Sequence, residues 1–77
     1  MIHYADKIIS DHTIMLGKPI IKGTRVTVEL ILKKLGQGAT FHDLLNAYPS
    51  LTTEGIYEAL TYAANTIANE EVVIPSK

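Results

Sequence analysis

The sequence predicts a mainly α domain. Three helices lie in a helix-turn-helix arrangement, with a short N-terminal β-hairpin arm before them and an extended C-terminal tail after. Three observations carry this. Apolar residues recur at helical spacing in three successive segments after residue 27. Only Pro49, Ser50 and Leu51 separate the second segment from the third, the short break of a helix-turn-helix. Ahead of them runs Gly17-Lys18-Pro19-Ile20-Ile21-Lys22-Gly23-Thr24-Arg25-Val26, a compact basic segment interrupted by two glycines and a proline. The 77 residues make one domain, read as a basic β arm (1–26), the helical body (27–69) and the tail (70–77).

Lys7-Ile8-Ile9-Ser10 reads as a short strand, and Asp11-His12-Thr13 as a turn whose aspartate caps the next segment. Ile14-Met15-Leu16 is apolar and stops at Gly17. Pro19-Ile20-Ile21-Lys22 is a second extended run. Its proline lacks an amide donor and suits a strand start or edge. Gly23 supplies a bend. Thr27 is the N-cap of the first helix, whose stripe is Val28, Ile31, Leu32 and Leu35, with Glu29 and Lys33 paired at i, i+4. Gly36 and Gly38 stop it. Thr40 caps the second helix and Asp43 completes a capping box; Phe41, Leu44, Leu45 and Tyr48 form the apolar face, and Pro49 ends it. The third helix starts near Thr52, with Glu54 in its first turn and a stripe of Ile56, Leu60, Ala63, Ala64 and Ile67. Leu51 turns inward and sets the angle between the two helices. Val72-Val73-Ile74-Pro75 reads as a strand-like tail.

A core this small is marginal alone and usually has a staple or a partner. There are no cysteines, so disulfides and cysteine-ligated zinc are excluded. With 47% hydrophobic residues, a partner is the expected supplement. No stretch approaches the roughly 20 apolar residues of a membrane helix, and Met1-Ile2-His3-Tyr4-Ala5-Asp6 lacks signal-peptide character. The expectation is a cytoplasmic protein with no membrane contact. The net charge of −1 conceals a basic half: residues 1–36 carry six basic and three acidic residues, residues 37–77 one lysine and five acids. A basic half can meet phosphate, and ordinary solubilising charge reads the same way. His3, His12 and His42 lack companions at ligand spacing, and Ser10, Ser50 and Ser76 lack a nearby base. Gly17-Lys18 lacks the spacing of a phosphate loop. The expectation is a non-enzymatic protein without metal or cofactor.

The combined string is more specific than any of its parts. Gly17-Lys18-Pro19-x-Ile21-x-Gly23-Thr24-Arg25-Val26-x-Val28 is followed by Ile31-Leu32, Gly38, Leu44-Leu45, Tyr48-Pro49-x-Leu51-Thr52, Ile56, Ala59-Leu60 and Tyr62-Ala63. It resembles the domain-of-unknown-function family numbered 433, which includes VapB-like antitoxins, over about residues 7–66. The resemblance implies a winged-helix-like helix-turn-helix fold. It also implies the antitoxin role in a type II toxin–antitoxin pair, in which the chain binds a PIN-like ribonuclease toxin and represses its own operon on operator DNA. At Gly55 the family commonly carries an acid that closes a capping box with Thr52, so the third helix is expected to fray at its start.

The candidate DNA-binding residues are Lys18, Lys22, Thr24, Arg25, Lys33 and Lys34 from the basic segment and first helix, and Thr52, Thr53 and Tyr57 from the third. Glu54 and Glu58 repel phosphate, and no lysine or arginine lies on that helix, so a structural or protein-binding role stands beside DNA readout. For Arg25 the structural alternative is a partly buried guanidinium forked onto a carboxylate or helix-end carbonyls; for Thr24 it is closure of a turn. The isoleucine pairs Ile8-Ile9 and Ile20-Ile21 are expected to pair across a homodimer that presents two basic arms to a palindromic operator. Val72, Val73, Ile74 and Lys77 are the toxin-binding candidates, the alternative being a tail packed on its own domain. With so few cations in the tail, inhibition is expected by covering or distorting the toxin, Arg25 and Lys77 being outside candidates for its acidic site. A protein-binding module and a stand-alone regulator are the other readings.

Overall fold

The computed structural model describes residues 1–70. Strands β1 (Ile2–Ala5), β2 (Ile8–Ser10) and β3 (Ile20–Ile21) precede helices α1 (Val28–Gly36), α2 (Phe41–Ala47) and α3 (Thr53–Glu70). The strands form one antiparallel sheet in the order β1-β2-β3. The domain is therefore mixed α/β, and the expected mainly α body with a peripheral hairpin arm is corrected. The reason lies in the isoleucine pairs. Ile8 opposes Ile21 and Ile9 opposes Ile20, so each strand puts an isoleucine on both faces of the sheet. A peripheral arm leaves one face to water; here all four are buried. Ile8 and Ile21 join Val28, Ile31, Leu44, Leu51, Ile56 and Ala59 in the main core.

Within the single chain the two isoleucine strands already pair with each other. The outer side of β3 is closed by the chain's own return, where the Ile21 N–H donates to the Val26 carbonyl at 3.0 Å and the Val28 N–H to the Pro19 carbonyl at 3.0 Å. Strand β1 has no signal in the sequence pattern. Its residues are mostly exposed, its register with β2 shifts between His3 and Ala5, and Tyr4 reaches over to stack on Tyr62 of α3 with centroids 5.3 Å apart. In the apolar Ile14-Met15-Leu16 segment Ile14 is extended and a 3-10 turn, Met15–Gly17, follows, with Met15 and Leu16 at positive φ and Leu16 almost fully in solvent.

The helix starts follow their caps. Thr27 Oγ1 accepts from the Leu30 N–H at 3.0 Å. Thr40 and Asp43 form both bonds of a capping box at 3.1 and 2.9 Å. Gly38, at φ +101°, provides the left-handed residue after α1. The backbone N–H of Thr40, and then its side chain, hold the Asp43 carboxyl below its ordinary value of 3.8. A carboxyl lowered in the folded state stabilises fully above that value and ceases to do so as pH falls through the lower one. Asp43→Asn is therefore expected to flatten the acid limb of stability below pH 3.8, readable as urea midpoints at successive pH values.

The third helix keeps its cap at the start and departs from expectation towards its end. Gly55 is buried, and its N–H donates to Thr52 Oγ1 at 3.0 Å, so half of a capping box is present. A Cβ at residue 55 would lie 3.1 Å from Ile21 Cγ2. The glycine is thus where α3 meets β3, and its close approach explains a residue otherwise costly in a helix. Ile21 is buried and β-branched, with little freedom to yield. Gly55→Ala is expected to destabilise by about 1 kcal/mol in urea denaturation, overpacking outweighing the helix-propensity gain. Beyond Ala63 the expected buried stripe is not buried: Ala64 is exposed, and Ile67 is 63% exposed.

Candidate nucleic-acid interface

The turn after β3 is tightly determined by sequence. Gly23 takes φ +84°, which a side chain disfavours. The Thr24 N–H donates to the Ile21 carbonyl at 3.0 Å. Thr24 Oγ1 donates to the same carbonyl at 2.8 Å and accepts from the Val26 N–H at 2.9 Å. Thr24 therefore has the structural role, closing the turn. The Lys22 N–H donates to the Lys7 carbonyl at 2.8 Å, tying the turn to the strand connection.

This rigid turn presents Lys22 and Arg25 to solvent. Arg25 is exposed, and among the described residues it makes no side-chain hydrogen bond or ion pair, so the buried, forked guanidinium is corrected. The turn faces an open groove of about 890 Å³ whose lining includes Ile9, Ile20, Val26, Leu30 and Tyr48. Ala47 at the end of α2, and Pro49 and Ser50 from the break between α2 and α3, line the same groove. Asp11 is its acidic member. The Thr13 hydroxyl (2.7 Å) and then the Thr13 N–H (3.0 Å) donate to its carboxylate and lower its pKa from 3.8, so it stays ionised with its charge partly satisfied.

The other candidates are placed elsewhere. Lys18 donates to Glu29 at 2.9 Å, taking the acid that the sequence pairs with Lys33, and it lines a second groove between α1 and α3. That hydrogen bond, with the Lys18 charge, lowers the Glu29 pKa from 4.5. Lys33 and Lys34 occupy the last turn of α1, where cations suit the helix dipole. Thr52 is engaged as a cap, while Thr53 and Glu54 are exposed beside it. Tyr57 is 59% exposed and packs edge-on against Phe41 of α2 at 5.3 Å, so it also joins the two helices. Val72, Val73, Ile74 and Lys77 lie outside the described residues.

Sequence reasoning misses Tyr48, Pro49 and Ser50 as neighbours of the basic turn. The shared groove is lined from segments far apart in the chain, and no local pattern announces it. Among the described residues, no three of His, Cys, Asp and Glu gather as metal ligands, and no helix is long and apolar enough to cross a membrane.

Residues 8–63 match the model of a family described as Protein of unknown function (DUF433). The chain belongs to the DUF433 family. The match opens on β2 and closes at Ala63, so it spans the basic turn, both grooves in large part, and the α2–α3 break. Strand β1 and the last turns of α3 lie outside the DUF433 segment. No curated protein and no solved structure matches the chain.

Proposed function

We propose that this chain is an antitoxin that binds operator DNA as a dimer and neutralises a PIN-like ribonuclease by direct contact. The motif string from Gly17 to Ala63 supports the antitoxin part through its resemblance to a family that includes VapB-like members. The DNA part rests on one observation: the rigid turn carrying Lys22 and Arg25 shares a groove with the break between α2 and α3. In this reading α2 and α3 act as the helix-turn-helix. Lys22 and Arg25 take phosphates beside it, and Thr53 with Tyr57 faces the bases. Lys18, already held by Glu29, contributes less than its charge suggests.

The test is fluorescence anisotropy on the DNA upstream of the reading frame at several salt concentrations. Lys22→Ala and Arg25→Ala are each expected to lower the salt slope by about one, and Lys18→Ala by less. A slope unchanged in both of the first two variants removes the turn from the DNA surface. Co-expression with the neighbouring reading frame tests the toxin part. Rescued growth and a co-purifying complex are expected; a harmless neighbour and no complex defeat it.

A second reading, a protein-binding module without DNA affinity, is favoured by Glu54, which stands exposed at the start of α3 where phosphate would approach. It predicts tight partner binding and no salt-sensitive DNA binding.

A further inference from the structure

The second groove, about 370 Å³, runs between α1 and α3, with Val28, Leu32 and Ala63 among its lining and Ile67 at one side. Helix α3 is 18 residues long, and its buried residues Gly55, Ile56 and Ala59 lie in its first half. Its apolar stripe nevertheless continues through Leu60, Ala63, Ala64 and Ile67 at i, i+3, i+4 and i+7. A large apolar knob, 63% exposed, thus stands directly beside an apolar hole. A two-fold axis asks for this arrangement, because each copy then offers its knob to the other's hole. Small residues at 63 and 64 let two helices approach closely.

The rim supplies the second argument. Lys18 and Glu29, paired at 2.9 Å and both exposed, put one charge of each sign at the groove's edge. A two-fold axis set across the groove can bring the lysine of each copy to the glutamate of the other, so such a rim is able to complement itself. Another protein would have to match both signs; a second copy does so by symmetry.

We propose that two copies of this chain pair through the α1–α3 groove about a two-fold axis, each seating Ile67 between α1 and α3 of the other. The pairing supplies the dimer that operator binding requires, through a surface separate from the isoleucine strands, which pair within the chain. It is measured without DNA, so its failure and that of the DNA reading are separable.

Sedimentation equilibrium of the full chain is the test. The chain is expected to sediment as a dimer at micromolar concentration. Ile67→Asp is expected to raise the dissociation constant by roughly 100-fold while leaving the thermal melt of the monomer unchanged, since residue 67 is exposed in one copy. Lys18→Glu and Glu29→Lys are each expected to weaken self-association, and a mixture of the two to form a heterodimer. A monomeric wild-type chain overturns the proposal, whether its groove is then covered by its own residues 71–77 or by another protein. A dimer indifferent to Ile67→Asp overturns it too, as does a mixture of the two charge variants that fails to pair.

Discussion

Replacing Ile8 by alanine is expected to cost about 2–5 kcal/mol. Ile8 is fully buried, sits on β2 and packs into the cluster that holds Ile56 and Ala59 of α3. The loss combines the transfer energy of the missing methyl groups with a cavity that a close-packed interior only partly refills. A domain of this length holds roughly 4–12 kcal/mol in total, so the variant should show a markedly lower urea midpoint by circular dichroism. Ile2→Ala is the matched control: Ile2 lies on the outer strand, 57% exposed, and is expected to stay within about 0.5 kcal/mol of the parent. Equal and small effects at the two positions would return the first 26 residues to the status of an appendage.

Leu51→Ala is the second large effect, also expected at about 2–5 kcal/mol. Leu51 is 5% exposed and belongs to the core that includes Leu44 of α2 and Ile56 of α3. Its N–H donates to the Tyr48 carbonyl at 2.9 Å, closing the turn that carries the side chain inward. Pro49, two residues earlier in that turn, is exposed. Pro49→Ala should cost no more than about 1 kcal/mol, acting mainly through the entropy of the unfolded chain. The contrast locates the determinant of the α2–α3 junction in packing rather than in the proline. Under the DNA reading, Leu51→Ala should also lower operator affinity at temperatures where the variant remains folded.

The helices are legible because their signals are local. Thr27, Thr40 with Asp43, and Thr52 each bond to an N–H three residues ahead, within reach of sequence spacing alone. The strands are half legible: Ile8-Ile9 and Ile20-Ile21 announce extended chain, but whether they pair within one molecule or between two depends on contacts that no short window contains. Gly55 shows the same limit. Its propensity cost is readable, whereas the approach of Ile21 that makes a side chain unwelcome is not. At the candidate site, Lys22 and Arg25 stand out by charge. Their groove does not, because Tyr48, Pro49 and Ser50 line it from a segment more than twenty residues further along the chain. The burial expected of Arg25 fails because the turn that lifts it into solvent is fixed by Gly23 and Thr24 and not by the arginine.

The seating of β2 and β3 on α3 also sets an order of events during synthesis. Ile8 and Ile21 leave the ribosome early, but Gly55, Ile56 and Ala59, which cover them, emerge some tens of residues later. At about 5–20 residues per second, that interval lasts seconds. Throughout it the isoleucine-rich segment lacks the α3 face that completes its burial, and each newly made molecule passes through a window open to chaperones and proteases before the last helix arrives.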